Sequence, residues 1–145
     1  MKSRFSKIMV ILSLGVLLSL TACEWELSGQ KREAVLSFSE AITDNLFAGL
    51  AANDYQLFSR DFDQEMLEVL PVSRFEAWKA DMDEKIGDCL SREVGRVTRA
   101  DEFYVVTYQV ECTKAQHVTV EIAFHRSQTI AHLSFDSESL TLVSE

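Results

Sequence analysis

The apolar residues of this chain keep one period before Gly87 and another after it, and that switch limits the fold more than any other feature. From Lys31 to Ala52, Val35, Phe38, Ile42, Leu46, Phe47 and Leu50 recur at steps of three and four. Glu33, Ser37, Glu40, Thr43 and Asp44 lie between them, the pattern of an amphipathic helix. Asn53-Asp54 breaks it, and Tyr55, Leu57 and Phe58 begin a shorter helix. A further helical stretch from Asp63 to Leu70 stops at Pro71, because the residue before a proline avoids the α region. Ser73 with Glu76 three residues on has the spacing of a capping box. The helix that follows sets Phe75, Trp78, Met82 and Ile86 on one face and ends at Gly87.

Beyond Gly87 the period is two. Tyr104, Val106, Tyr108, Val110 and Cys112 share one face of residues 103–113, and Val118, Val120, Ile122 and Phe124 share one face of 117–125. Thr129 to Asp136 repeats the pattern, and Cys89 to Thr98 is a weaker first strand. Helices followed by strands predict an α+β domain: N-terminal helices, then an antiparallel meander of four strands.

Strand registers follow from parity, since a slip of one residue sends the apolar set to the other face. A turn at Ser127-Gln128 pairs Phe124 with Ala131, Ile122 with Leu133 and Val120 with Phe135. A loop centred on Ala115 pairs Val110 with Val120, Tyr108 with Ile122 and Val106 with Phe124. A turn at Ala100-Asp101 sets Cys89 opposite Cys112, at about the separation a disulfide needs. That register points Glu93 inward, which a bulge near Gly95 would correct. The alternative for the two cysteines is a pair of buried thiols.

Composition excludes several function classes. With 23 acidic against 14 basic residues the formal charge is −9, and without a Lys/Arg run the chain lacks the cations that nucleic-acid binding requires. One Pro and five Gly exclude a collagenous or Pro/Gly-rich disordered chain.

Residues 1–22 stand apart from the domain. Lys2, Arg4 and Lys7 precede an apolar run from Ile8 to Leu20, the layout of a secretory signal, and the run is shorter than the roughly 20 residues of a transmembrane helix. It ends in Leu20-Thr21-Ala22-Cys23, which resembles the lipobox of bacterial lipoprotein signal peptides. The resemblance implies diacylglyceryl transfer to the Cys23 sulfur, cleavage before Cys23 and acylation of the freed amine with a chain such as palmitate. One acyl chain anchors marginally and two or more anchor stably, so the expected partner is the membrane itself. Glu24 follows Cys23 in place of Asp, which by the same resemblance directs a Gram-negative lipoprotein to the periplasmic face of the outer membrane; otherwise the address is the outer face of the cell membrane. Cys89 and Cys112 then form an even pair in an oxidising compartment, where a disulfide is the default. Residues 23–30 form a lipidated tether and 31–145 a single domain. Removing Lys2, Arg4 and Lys7 leaves 11 basic against 23 acidic residues, a mature charge of −12, so anionic head groups should repel the domain.

The long first helix, the segment Asn53-Asp54-Tyr55-Gln56-Leu57-Phe58-Ser59-Arg60-Asp61-Phe62, a third helix ending in Gly and the meander together resemble the nuclear-transport-factor-two-like (cystatin-like) superfamily over residues 31–136. Its members include isomerases, dehydratases, immunity proteins and interaction modules, so the fold does not choose the function. The resemblance implies that the four-stranded meander is curved and cone-like around the helices, with a cone interior for which Tyr55, Trp78, Tyr104 and Tyr108 are the candidate lining. Asp61 and Asp63 suit a helix start. His117, His125 and His132 fall on the outer face; His125, His132 and Glu121 are near enough to share a zinc ion, but the spacing is only permissive and no metal or other cofactor is expected. No HExxH, Walker loop, GxSxG or CxxC is present, and no catalytic residue is assigned. The outer face carries Phe103, Val105, Thr107, Gln109, Thr119, Ala123 and Ile130, a surface suited to a protein partner or a homodimer. The expected function is a non-enzymatic, membrane-tethered binding or interaction module of the cell envelope, with a small isomerase- or dehydratase-like enzyme acting on an apolar molecule, or an immunity or inhibitor protein, as alternatives.

Overall fold

The computed structural model describes residues 25–144; the expected signal sequence and lipidation site, residues 1–22 and Cys23, lie outside them. The elements run β1 (Trp25–Glu26), α1 (Gly29–Ala52), α2 (Tyr55–Phe58), α3 (Gln64–Val69), α4 (Val72–Lys85), β2 (Cys89–Ala100), β3 (Phe103–Cys112), β4 (Val118–His125), β5 (Ile130–Asp136) and β6 (Thr141–Val143). The class is α+β as expected, but the sheet has six antiparallel strands in sequential order, not four. The two additions are edge strands of two and three residues, too short to display a period. Residues 25–30 are therefore more than a tether, since β1 pairs Trp25 with Arg99 and Glu26 with Thr98, and α1 already begins at Gly29.

Each helix stops for a local reason. Asn53 closes α1 in the left-handed region at φ 52°, its N–H reaching back to the carbonyls of Gly49 and Leu50. Asp54 and Asp63 cap α2 and α3 by accepting from the backbone N–H groups of Leu57 and Met66. The capping box at Ser73 is not used: α4 starts one residue earlier, with Pro71 at the N-cap and no side-chain cap bond. The face of α4 is as read, with Phe75, Trp78, Met82 and Ile86 all buried.

The strands keep the expected faces and shift their partners. Between β3 and β4, Val110 pairs with Val118, Tyr108 with Val120 and Val106 with Ile122, two residues from the expected register and so on the same face. The cause is the 113–117 loop, which the end of α4 captures: the Lys114 N–H donates to the Ile86 carbonyl, and its ammonium to the carbonyls of Asp83 and Glu84. Between β4 and β5, Val120–Phe135 and Ile122–Leu133 pair as expected. Phe124, however, meets Ile130 rather than Ala131, because the loop has three residues with Gln128 at φ 70° and a bulge follows. Ile130, read as an outer residue, is thereby turned into the core.

The β2–β3 turn falls at Asp101-Glu102, one residue later than expected, with Asp101 at φ 52°. Two bulges in β2, between Val94 and Val97 and between Cys89 and Ser91, restore the pairing of Cys89 with Cys112. The two form a disulfide. The first bulge is the one expected near Gly95, and it turns Glu93 out to solvent. It also turns Arg92 inward, which sequence reading did not foresee.

Two stability predictions follow from this packing. The disulfide closes a separation of 23 residues, which by loop entropy stabilises the fold by about 3 kcal/mol; Cys89→Ser with Cys112→Ser should lower the urea-derived unfolding free energy by that amount, and reductant should do the same to the natural chain. At Gly49, α1 crosses α2 so closely that an added Cβ would overlap the Phe58 backbone. Gly49→Ala should therefore destabilise by roughly 1–3 kcal/mol, although alanine favours an isolated helix; a midpoint that rises instead would refute the close approach.

Candidate functional site

Two parts of the molecule gather polar chemistry against the inner face of the sheet: a cluster under the middle of α1, buried at Tyr108 and Thr43 and open to solvent at Glu40 and Asp44, and an open cleft at its N-terminal end.

The cluster is built on Tyr108 in central strand β3, which is fully buried. A buried phenol needs partners, and α1 supplies them. The hydroxyl donates to Glu40 Oε1 at 2.8 Å and lies 3.1 Å from Thr43 Oγ1, whose own proton completes the second bond. Thr43, read as part of the polar face of α1, is thus an inward residue, as is Ser39, whose Oγ is buried beside it without a hydrogen-bond partner. Arg92 arrives from β2 and donates to Asp44 Oδ1 at 2.6 Å and Glu40 Oε2 at 3.4 Å. Its guanidinium lies 5.5 Å from the Phe47 ring centroid and 5.6 Å from that of Tyr108, within cation–π range.

The electrostatics match the packing. Burial pushes the Tyr108 phenol far above its ordinary value, and the Glu40 carboxylate that accepts its proton adds to the rise. For Arg92, burial pulls downward, but the Asp44 hydrogen bond and the charges of Glu40 and Asp44 outweigh it, so the guanidinium is held more firmly charged than usual. A buried phenol with a raised pKa gives up its proton reluctantly, and Tyr108 has no exposed surface.

The other sequence-selected aromatics divide between core and surface. Tyr55 donates to the Leu70 carbonyl at 2.9 Å and packs on Phe75 at 5.6 Å between centroids, within the helical layer. Trp78 is buried in the same layer. Tyr104 lines an open recess, a cleft of about 490 Å³ between the first turns of α1 and the β3 and β4–β5 edge. Its floor is Leu27, Ala34, Val35, Phe38 and Tyr104, with Phe38 set edge-on to Phe124 at 5.8 Å. Around that floor stand Lys31, Arg99, Arg126 and Gln128. An adjoining hollow shares Leu27, Lys31 and Arg99, adds Glu26 and Asp101, and extends to Trp25, which is 69% exposed. Sequence reading missed this cleft because its cations come from three separate elements.

The histidines have local partners. His125 pairs with Phe103 on the face opposite the core, where its ring lies 4.9 Å from that of Phe103 and its Nε2 2.8 Å from Asp63 Oδ2. The 61–63 segment bonds along Ile130 through the N–H of Ile130 and the N–H of Asp63 and so brings Asp63 to the hairpin. His132 Nδ1 is 3.3 Å from Ser144 Oγ. The two imidazoles therefore engage different neighbours, and among the described residues no group of three or more His, Cys, Asp or Glu side chains is arranged to hold a metal ion. On the outer face Val105 is only 8% exposed, and Ala123 and Phe103 are half-buried.

Compared with protein-family models, curated proteins and solved structures, the chain has no match. Among the described residues no helix is long and apolar enough to cross a membrane.

The cluster generates a pH prediction. The folded Tyr108 pKa lies above its unfolded value of about 10, so its contribution to stability is complete below that value and is lost as pH rises beyond it. In an alkaline absorbance titration, one of the three tyrosines should ionise only as the chain unfolds. Tyr108→Phe should remove that late step and leave two.

Proposed function

We propose that the chain is a lipoprotein of the bacterial cell envelope, held to its membrane by acyl chains on Cys23, whose domain is a non-enzymatic binding module. The cleft beside Tyr104 carries the reading: an apolar floor rimmed by cations, in a chain of net charge −9, is a recognition surface whose lining has no carboxylate, histidine, serine or cysteine to set beside Lys31 and Tyr104 as a catalytic pair. The most chemically perturbed group, Tyr108, is hydrogen-bonded on both sides and sealed from substrate, which weighs against the isomerase- or dehydratase-like alternative. The fold-level likeness to the nuclear-transport-factor-two-like superfamily is consistent with either role and adds no argument for one of them.

The lipobox residues Leu20 to Cys23 support the anchor, and Glu24 supports transfer to the outer membrane in a two-membrane envelope. The disulfide supports an oxidising address. The outer sheet face, with Phe103, Thr107 and Ala123 half-buried, is the surface this reading offers to a protein partner.

Mass spectrometry of the chain recovered from envelopes tests the anchor. The expected species begins at Cys23, lacks residues 1–22 and carries two or three acyl chains, while Cys23→Ser keeps its signal sequence and takes no palmitate label. A natural chain that begins elsewhere, or carries no lipid, would overturn the reading.

A further inference from the structure

The cations of the domain are sorted by what they touch. Of the 11 basic residues after Cys23, five are ion-paired: Arg32, Arg60, Lys79, Lys85 and Arg92. Arg74 and Lys114 are engaged by helix carbonyls. Of the remaining four, three line the same cleft, namely Lys31, Arg99, whose Nε also donates to the Asp101 carbonyl at 3.3 Å, and Arg126, and the fourth, Arg96, lies elsewhere on β2. No acidic side chain lines that cleft. In a domain with twice as many acids as bases, this is a local reversal of sign, and it is maintained against local preference. The first turn of α1 holds no acidic residue, though acids are favoured there, and Ser28 at its N-cap makes no side-chain cap bond. The turn's N–H groups thus add to the positive potential instead of being neutralised.

Position supplies the second argument. Cys23 stands two residues before Trp25, so its backbone is within about 7 Å of that residue's, and Trp25 shares a hollow next to the cleft with Lys31 and Arg99 as well as Glu26 and Asp101. An exposed tryptophan beside cations is the composition of a membrane-interface surface. Lys31, Arg99 and Arg126 suit a phosphate, and the floor of Val35, Phe38 and Tyr104 suits the start of an acyl chain.

We propose that this cleft binds an anionic phospholipid of the bilayer to which the chain is anchored, phosphate on the three cations and acyl chain on the apolar floor. The proposal rests on the membrane-tethered reading above and names the ligand class of that site. It also reverses the expectation that anionic head groups repel the domain: the net charge repels, and the tether end attracts.

Native mass spectrometry of the full-length lipoprotein in nonionic detergent tests it, with phosphatidylglycerol and phosphatidylcholine of identical chains supplied together. The expected result is one retained phosphatidylglycerol per chain, favoured about tenfold, with the preference falling as salt rises. The combined variant Lys31→Glu, Arg99→Glu, Arg126→Glu should lose the preference, and Arg96→Glu should keep it. Should the combined variant fail to fold by circular dichroism, Lys31→Glu and Arg126→Glu taken singly should each reduce the preference severalfold. Equal retention of the two lipids, competition by free glycerol phosphate as strong as by the lipid, or a cleft covered by a second copy in a dimer would each overturn the proposal. The same spectra report the mass of the anchor, so an acylated chain without lipid preference refutes the cleft alone, and an unacylated chain that retains phosphatidylglycerol refutes the anchor alone.

Discussion

A phenol in the middle of the central strand sets the terms for the packing around it. Tyr108 is fully buried, and leaving its hydroxyl unpaired would cost about 1–3 kcal/mol. That demand explains why α1 turns Thr43 and Glu40 toward the sheet instead of an unbroken apolar stripe. It accounts as well for β2, whose bulge brings Arg92 over the same ring, where the cation meets both the carboxylates of α1 and the faces of Phe47 and Tyr108. Helix and sheet are thus joined through a hydrogen-bonded polar core within the larger apolar one, and the disulfide pins the far end of the same pair of strands.

What could be read in advance followed from periodicity, and what could not depended on contacts between distant segments. Every inner residue of β3 and β4 was assignable because parity survives a shift of two residues; the absolute register did not follow, since it depends on the α4 end holding Lys114. Ile130 was misplaced for a related reason. A three-residue loop and a bulge cannot be told from a two-residue turn by alternation alone, and the segment that makes Ile130 an inner residue is 61–63, nearly seventy positions away. Thr43 was assigned to solvent by residue type, whereas its environment is decided by Tyr108. The pairing of Cys89 with Cys112 was reached through a turn placed one residue early, and the second bulge in β2 absorbs the difference.

The cleft was illegible for a deeper reason. Lys31, Arg99 and Arg126 are unremarkable singly, and only the antiparallel order of the sheet brings the β2 end, the β4–β5 loop and the start of α1 to one edge. Tyr104 was the one member that alternation identified. Net charge is a poor guide in such a molecule because it averages over surfaces that face different neighbours. Here the carboxylates are spread along the helices and outer strands, where several hold partners in ion pairs, while Lys31, Arg99 and Arg126 collect where the chain leaves the domain toward Cys23.

That asymmetry bears on how a short tether can serve a binding module. With β1 paired to β2 from Trp25 onward, only Glu24 separates the folded domain from Cys23, so an acylated chain would hold the domain against the bilayer rather than letting it range through the aqueous layer. At such a distance, within one Debye length of the lipid phosphates at physiological salt, the sign of the nearest surface matters more than the charge of the whole. An acidic domain with an acidic tether end would be pushed to the limit of its leash; one with a basic end is held in a fixed orientation. On the proposed reading, the paired edge strand, the uncapped first turn of α1 and the grouping of Lys31, Arg99 and Arg126 favour the second arrangement.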